Sequence, residues 1–345
     1  MKRTLKRQSV VIAMIYLLVQ NCVFSQDSIN NDYVVFRADE QSAGRRGEQR
    51  LEGEIVNLTG RDGLTFRPNN GQEIKITVDR IIDFGTVKET AQVNAEQLFR
   101  NGDYRVAIDY YLEARRTEKR TWVQRQQTSV IVQAYFALGE QHLACQQFYL
   151  LAESDPETVY LACIPLPWYV DLSQSLAFQQ FGEKWLDRPD YPACQLLSAG
   201  LSLTTTSRAK AVDALQSLAK SSNPSIAALA TAQLWRNRLV EATLNKAVSW
   251  ENQLDTMPEE LRSGPHYLLG EVFARLNRLD DALTHWLHVQ RDAPELRPLA
   301  LRSLQRAVET LDKLGRIAEA ETLRHEIRRL SDGEISLSFG MNERF

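Results

Sequence analysis

The chain has 345 residues, of which 43% are hydrophobic and 25% are charged, and its formal net charge is −3. This composition is typical of a globular protein and excludes a disordered tail or a membrane bundle. The length predicts about two ordinary domains with room for a sizeable core.

Residues 1–25 have the composition of a secretory signal. Four basic residues precede an apolar run over residues 10–19, and a small-residue site ends at Ser25. The apolar run is shorter than the about 20 residues that a spanning helix needs, and no later stretch is long enough either. We therefore expect an exported protein, periplasmic or associated with the cell envelope. An uncleaved N-terminal anchor is the alternative.

Charge and cysteine content limit the possible partners. Removal of the signal takes away four of the 41 basic residues and none of the 44 acidic ones, so the mature chain carries a net charge of −7. No basic cluster stands out, so nucleic acid is not an expected partner. The remaining cysteines match no zinc motif, and we expect buried thiols, with one disulfide as the alternative. They are Cys145, Cys163 and Cys194.

Residues 26–86 predict a small all-β module after a loose N-terminal segment. Apolar and polar residues alternate from Leu51, residues 33–36 predict an edge strand, and Asn70-Gly71 suits a tight hairpin with φ > 0 at both positions. The module resembles small Sm-like or SH3-like β modules in the segment "LEGEIVNLTGRDGLTFRPNNGQEIKITVDRIIDF". A two-hairpin cap packed on the helices is the alternative.

Beyond residue 86 the sequence predicts helices, and one stretch has a distinctive spacing, "YLLGEVFARLNRLDDALTHWLHVQRDAP". Gly270 and Ala282 are small enough for two antiparallel helices to approach closely, and Phe273 and Trp286 fill the space around them. Pro294 is expected to end the second helix. This spacing resembles the tetratricopeptide repeat, which implies a stack of helical hairpins.

The same spacing recurs along the chain. Residues 87–156 and 263–331 predict tetratricopeptide-like repeats, and residues 157–262 predict hairpins of a degenerate tetratricopeptide or HEAT-like kind. A separate domain is the alternative for that middle region. Residues 332–345 are expected to form a C-terminal tail. The sequence thus predicts a mostly α chain, an α-solenoid with a β module at its front.

In such a solenoid the first helix of each hairpin lines the concave side. The residues predicted to face it form a polar groove of mixed charge, which suits hydrogen bonding to a peptide. They are Gln92, Glu96, Arg100, Gln133, Tyr267, Glu271, Arg275, Gln305 and Glu309. The resemblance implies a non-catalytic scaffold that holds a protein or peptide partner; the oligomeric state stays open.

The sequence offers no motif for catalysis or a cofactor. His285 and His288 lie three residues apart on one helix, but a zinc site needs further ligands, so we expect no metal. We therefore predict that the chain is not an enzyme, although scattered carboxylates leave that class open. The alternative function is binding of cell-wall glycan or another polysaccharide, for which Trp168, between Pro167 and Tyr169, is expected to be exposed.

Overall fold

The fold combines a small sheet with a larger helical part. The computed structural model describes residues 31–38, 47–169, 182–293 and 296–339. This part of the chain contains twelve α-helices and one five-stranded antiparallel sheet near the N-terminus. The predicted mostly α class with a small β module is therefore confirmed. The predicted signal over residues 1–25 and the helix-ending Pro294 lie outside the described residues.

The sheet has the strand order β4-β3-β2-β1-β5, with antiparallel neighbours throughout. A 3-10 turn, Val78–Arg80, joins β4 to β5. The long β2 changes register against β3 between Ile55 and Asn57, which bends it. The strands are β1 (Asp32–Arg37), β2 (Glu48–Thr59), β3 (Gly63–Pro68), β4 (Ile74–Ile76) and β5 (Ile81–Gly85).

Two details of the β prediction were wrong. Residues 33–36 do not form an edge strand, because β1 pairs with β2 on one side and with β5 on the other. The hairpin at Asn70-Gly71 exists, but neither residue has a positive φ. The connection between β3 and β4 spans residues 69–73, and this longer loop turns the chain without the left-handed conformation that a two-residue turn demands.

Helices account for the rest of the regular structure. Short connections join most of them, and most successive helices contact each other. They are α1 (Thr90–Asn101), α2 (Tyr104–Thr117), α3 (Thr121–Ala137), α4 (Gln141–Ser154), α5 (Pro192–Ser202), α6 (Arg208–Leu218), α7 (Pro224–Arg236), α8 (Leu244–Leu254), α9 (Ser263–Arg275), α10 (Leu279–Asp292), α11 (Arg297–Lys313) and α12 (Ile317–Phe339).

Four hairpins share one turn: α1-α2, α3-α4, α9-α10 and α11-α12. The first helix ends at a residue in the left-handed conformation, which is glycine three times and asparagine once. The next residue donates its N–H to the carbonyl five positions earlier, the hydrogen bond of a Schellman motif. The four bonds are Asp103 to Leu98, Glu140 to Tyr135, Arg278 to Phe273 and Arg316 to Leu311.

Small residues stand at the same place in each of these hairpins. In the second helix a fully buried alanine follows the left-handed residue by five positions, where the two helices meet. A larger side chain there would force the helices apart. The four alanines are Ala107, Ala144, Ala282 and Ala320, and each has an exposed fraction of 0%.

Most of the helical part shares one core, and α1, α2 and α3 share a second, smaller cluster. A single cluster of buried apolar side chains runs from Val132 to Ala320 and includes the middle helices α5 to α8. Helix α3 also contacts α11, which brings an early hairpin against a late one. All three cysteines within the described ranges are buried free thiols. Among the described residues no helix combines the length and the hydrophobicity needed to cross a membrane.

The sheet is docked on the start of α3 and on the segment after α4. Trp122 joins the core of the sheet, and its Nε1 donates to the Ile55 carbonyl over 3.0 Å. The buried Arg125 donates to the Leu58 carbonyl over 2.9 Å. The Gly60 amide donates to Asp155 over 3.1 Å. These hydrogen bonds connect the sheet to the helical part. They therefore hold in place both sides of the space between the sheet and the helices.

Candidate functional site

The predicted groove residues lie on the first helices of their hairpins, but three of them are buried. Gln92 is 2% exposed, Gln133 6% and Tyr267 3%. Gln92 accepts a hydrogen bond from Gln127 Nε2 over 3.1 Å, and Tyr267 packs edge-on against Tyr169. These side chains pack against neighbouring residues or line a cavity, so they do not form an open polar groove.

The remaining six groove residues make different contacts in different places. Arg306 joins two of them, since it donates to Glu271 over 2.7 Å and to Glu309 over 2.6 Å. On α1, Glu96 pairs instead with Lys88 over 2.8 Å. Of the other three, Arg100 and Gln305 are exposed, and Arg275 donates to the Ala242 carbonyl. The structure therefore does not bring the nine residues together as one surface.

A cavity of about 350 Å³ lies where the sheet meets the helices. Its volume is at the lower end of the range of about 300–1,000 Å³ typical of ligand sites. Gln133 of α3 is the one predicted groove residue that lines it. The exposed residues Arg61, Thr77 and Asp79 lie on the sheet side and mark the mouth. The cavity is thus lined by residues of both the sheet and the helical part.

The walls of this cavity come mainly from irregular segments. Residues 157–163, which follow α4, supply apolar side chains, and residues 222–225 bring the beginning of α7. Asn223 caps that helix, because its side chain accepts the amides of Ser225 and Ile226. The Cys163 thiol donates to the Tyr160 carbonyl over 3.0 Å, and burial raises its pKa, so it stays protonated.

Glu260 is the unusual residue of the cavity. It lies in the 3-10 turn Glu259–Leu261, and both of its carboxylate oxygens are buried without a hydrogen bond from any other described residue. Burial raises the pKa of this carboxyl to about 7, although Arg262 nearby opposes the shift. The buried Tyr160 hydroxyl, which also lines the cavity, lacks a hydrogen-bond partner too. A buried polar group without a partner requires an explanation.

A histidine cluster lies between α9 and α10. His266 Nδ1 and His285 Nδ1 are 2.9 Å apart, so one nitrogen donates to the other. His266 stacks on His288 with ring centroids 4.5 Å apart. Burial, then the neighbouring histidines, lower the pKa of His266 to about 3, and burial followed by His288 lowers that of His285 to about 4. Both rings are therefore neutral at neutral pH.

Three residues in and beside this cluster are close enough to be considered as ligands of one metal ion. Ligand atoms of His266, His288 and Asp292 lie within 4.8 Å of one another. However, the rings of His266 and His288 are parallel within 4°, and imidazole lone pairs lie in the ring plane, so one ion cannot face both. Arg291 also donates to His288 Nδ1 over 2.6 Å and to Asp292. This arrangement does not fit a metal ion.

The expected exposure of Trp168 was wrong. Its side chain is 6% exposed and packs against Gly264 at the start of α9, where a Cβ atom would overlap the indole ring. The segment around Trp168 is irregular, but it packs in the core beside α9. The other five tryptophans, Trp122, Trp185, Trp235, Trp250 and Trp286, are buried as well.

Comparison with known proteins adds no relative. The chain matches no protein-family model, and no curated protein is significantly similar to it in sequence. Its candidate site therefore rests on the geometry described above.

Proposed function

We propose that this protein is a non-catalytic scaffold, exported to the periplasm or cell envelope, that binds a protein or peptide partner. The cavity at Glu260 is the docking point, and one partner side chain enters it. The observation that carries this proposal is a cavity of ligand size that contains a buried carboxylate without a hydrogen-bond partner.

The helical hairpins make up a tetratricopeptide-like α-solenoid in this proposal. The shared Schellman turns and the buried alanines at matching positions support it, because a recurring hairpin is the unit of such a stack. The front sheet is Sm-like or SH3-like. Its strand order and the 3-10 turn between β4 and β5 support that assignment. Scaffolding is then the function implied by the resemblance.

The proposed docking surface is smaller than the predicted groove. Burial of Gln92 and Tyr267 and the contact of α3 with α11 leave less of the inner face accessible to a partner. The polysaccharide alternative depended on an exposed aromatic platform, and all six tryptophans are buried. We therefore put forward only the protein or peptide partner.

Site-specific photo-crosslinking in the native host tests this function. A photoreactive residue at Thr77, at the mouth of the cavity, is compared with one at the exposed Asp109 on α2. We expect a specific protein to crosslink at Thr77 and not at Asp109. That protein, once purified, should bind the full chain, and the cavity-filling Ala162→Phe should weaken binding at least tenfold. Unchanged binding to the folded Ala162→Phe variant would contradict the proposal.

A further inference from the structure

The Glu260 carboxylate differs from the other buried carboxylates of the protein. Asp32 accepts hydrogen bonds from the Thr86 hydroxyl and the Ile55 amide, and Glu118 pairs with Arg120 over 2.7 Å. Asp155 accepts the Gly60 amide. Within the described part of the chain, neither oxygen of Glu260 accepts a hydrogen bond from another residue. Unlike Asp32, Glu118 and Asp155, Glu260 lines a cavity large enough to admit a ligand.

An unpaired buried carboxylate destabilises the free protein. Removal of an ionised group from water costs several kcal/mol unless hydrogen bonds and an opposite charge compensate. A ligand that donates two hydrogen bonds and brings one positive charge would compensate for both losses. A guanidinium group meets this requirement, since its planar N–H fork bonds both oxygens of a carboxylate at once.

We propose that the cavity binds the guanidinium group of an arginine side chain, which pairs with Glu260 through both carboxylate oxygens. This inference rests on the proposed function, because the arginine belongs to the bound partner. Tyr160, whose buried hydroxyl also lacks a hydrogen-bond partner among the described residues, lines the same cavity. Arginine therefore anchors the partner.

The surroundings of Glu260 favour this ligand in two ways. The charged side chains that line the cavity are three acids and one base: Glu260, Asp79, Glu157 and Arg61, and the base is already paired with Glu157 over 3.0 Å. Apolar residues of the cavity lining, among them Val159 and Leu161, suit the methylene stem of a long basic residue. Lysine suits the site less, because its ammonium group is a strongly hydrated point charge.

Binding of small probes to the full-length mature chain tests the inference. The probes are N-acetyl-arginine amide, its lysine counterpart and its citrulline counterpart, which has the shape of arginine without the charge. Calorimetric titration at pH 8 should give a dissociation constant on the order of 1 mM for the arginine probe. The lysine and citrulline probes should bind at least tenfold more weakly. Equal binding of all three, or no binding of the arginine probe, would overturn the inference.

Substitutions at two adjacent glutamates provide the matched control. Glu260→Gln should weaken binding of the arginine probe at least tenfold, whereas Glu259→Gln, at an exposed position of the same turn, should leave it unchanged. Circular dichroism verifies the fold of both variants. Equal affinities of the two variants would overturn the assignment of Glu260.

The outcomes separate this inference from the proposed function. If a protein crosslinks at Thr77 and binds the Glu260→Gln variant as tightly as the unchanged chain, the arginine inference fails and the scaffold function stands. If the arginine probe binds through Glu260 but no protein crosslinks at Thr77, the scaffold function fails. The ligand is then a free guanidinium compound, and the assignment of the arginine to a partner protein is wrong.

Discussion

The indole ring of Trp286 lies directly on Gly270, so that a Cβ atom on Gly270 would overlap the indole nitrogen. Gly270 is in α9 and Trp286 is in α10, and the ring is fully buried. The glycine thus allows the two helices to pack around a large aromatic side chain. This contact explains why the sequence places a small residue and an aromatic residue at this spacing.

Gly270→Ala should destabilise the protein through this contact. The added methyl group overpacks the core, and the buried indole has no room to move, so we expect a loss of about 1–3 kcal/mol. Urea unfolding followed by tryptophan fluorescence measures it. Gly71→Ala is the control, since a Cβ there meets only Pro68 at an ordinary distance of 3.7 Å. Equal stability of the two variants would show that the hairpin packing is described wrongly.

Trp168→Ala should lower the stability of the folded protein. The side chain is buried against Gly264, and truncation of a buried tryptophan typically costs about 3–5 kcal/mol. Thermal unfolding by circular dichroism measures the change. Tyr110→Ala, at an aromatic residue that is 36% exposed, should change the stability by much less. A Trp168→Ala variant as stable as the unchanged chain would contradict the burial of this ring.

Glu260→Gln should stabilise the ligand-free protein at alkaline pH. The folded carboxyl has its pKa raised from 4.5 to about 7, so the folded state binds more protons than the unfolded state between these values. The contribution of the carboxyl to stability is present below pH 4.5 and is lost as pH rises through 7. At pH 8 the variant should gain about 1–3 kcal/mol, since one pKa unit corresponds to about 1.4 kcal/mol.

The pH dependence of unfolding verifies the Glu260 prediction. Denaturant unfolding of both chains at pH 4, 6 and 8 should show a difference that grows with pH. Glu259→Gln serves again as the exposed control. A difference that is constant over this range would mean that Glu260 is solvated in the folded protein.

The histidine cluster should make the protein sensitive to acid. His266 and His285 have pKa values lowered from 6.5 to about 3 and about 4, so only the unfolded chain takes up protons at these groups as pH falls below 6.5. Stability should therefore fall between pH 6.5 and 4. His285→Asn should reduce this loss, and His142→Asn, at an exposed position, should not. Identical acid profiles of the three chains would contradict the account.

The hairpins were predictable because their packing depends on local spacing. Ala107, Ala144 and Ala282 recur at one position of the repeat, and a small residue there is needed whatever surrounds the hairpin. The left-handed turn residues Gly102 and Gly139 follow from the same register. The sequence predicted the sheet equally well from the alternation of apolar residues.

The site was less predictable because it depends on contacts between distant segments. Gln133 was expected in an open groove, but its side chain is buried and lines the cavity beside the docked sheet. Glu260 follows Glu259 in a polar turn, and nothing in the sequence distinguishes the buried carboxylate from the exposed one. Trp168, next to Pro167, was predicted to be exposed, but it is buried against Gly264, which is distant in the sequence.

The most direct test of the central claim, that the partner docks at the Glu260 cavity, is hydrogen–deuterium exchange of the full chain with and without the partner captured at Thr77. The account predicts slower amide exchange in residues 157–163 and 222–225, which line the cavity, and unchanged exchange in helix α2, which does not line it. Slower exchange in α2 with no change in the two cavity segments would contradict it.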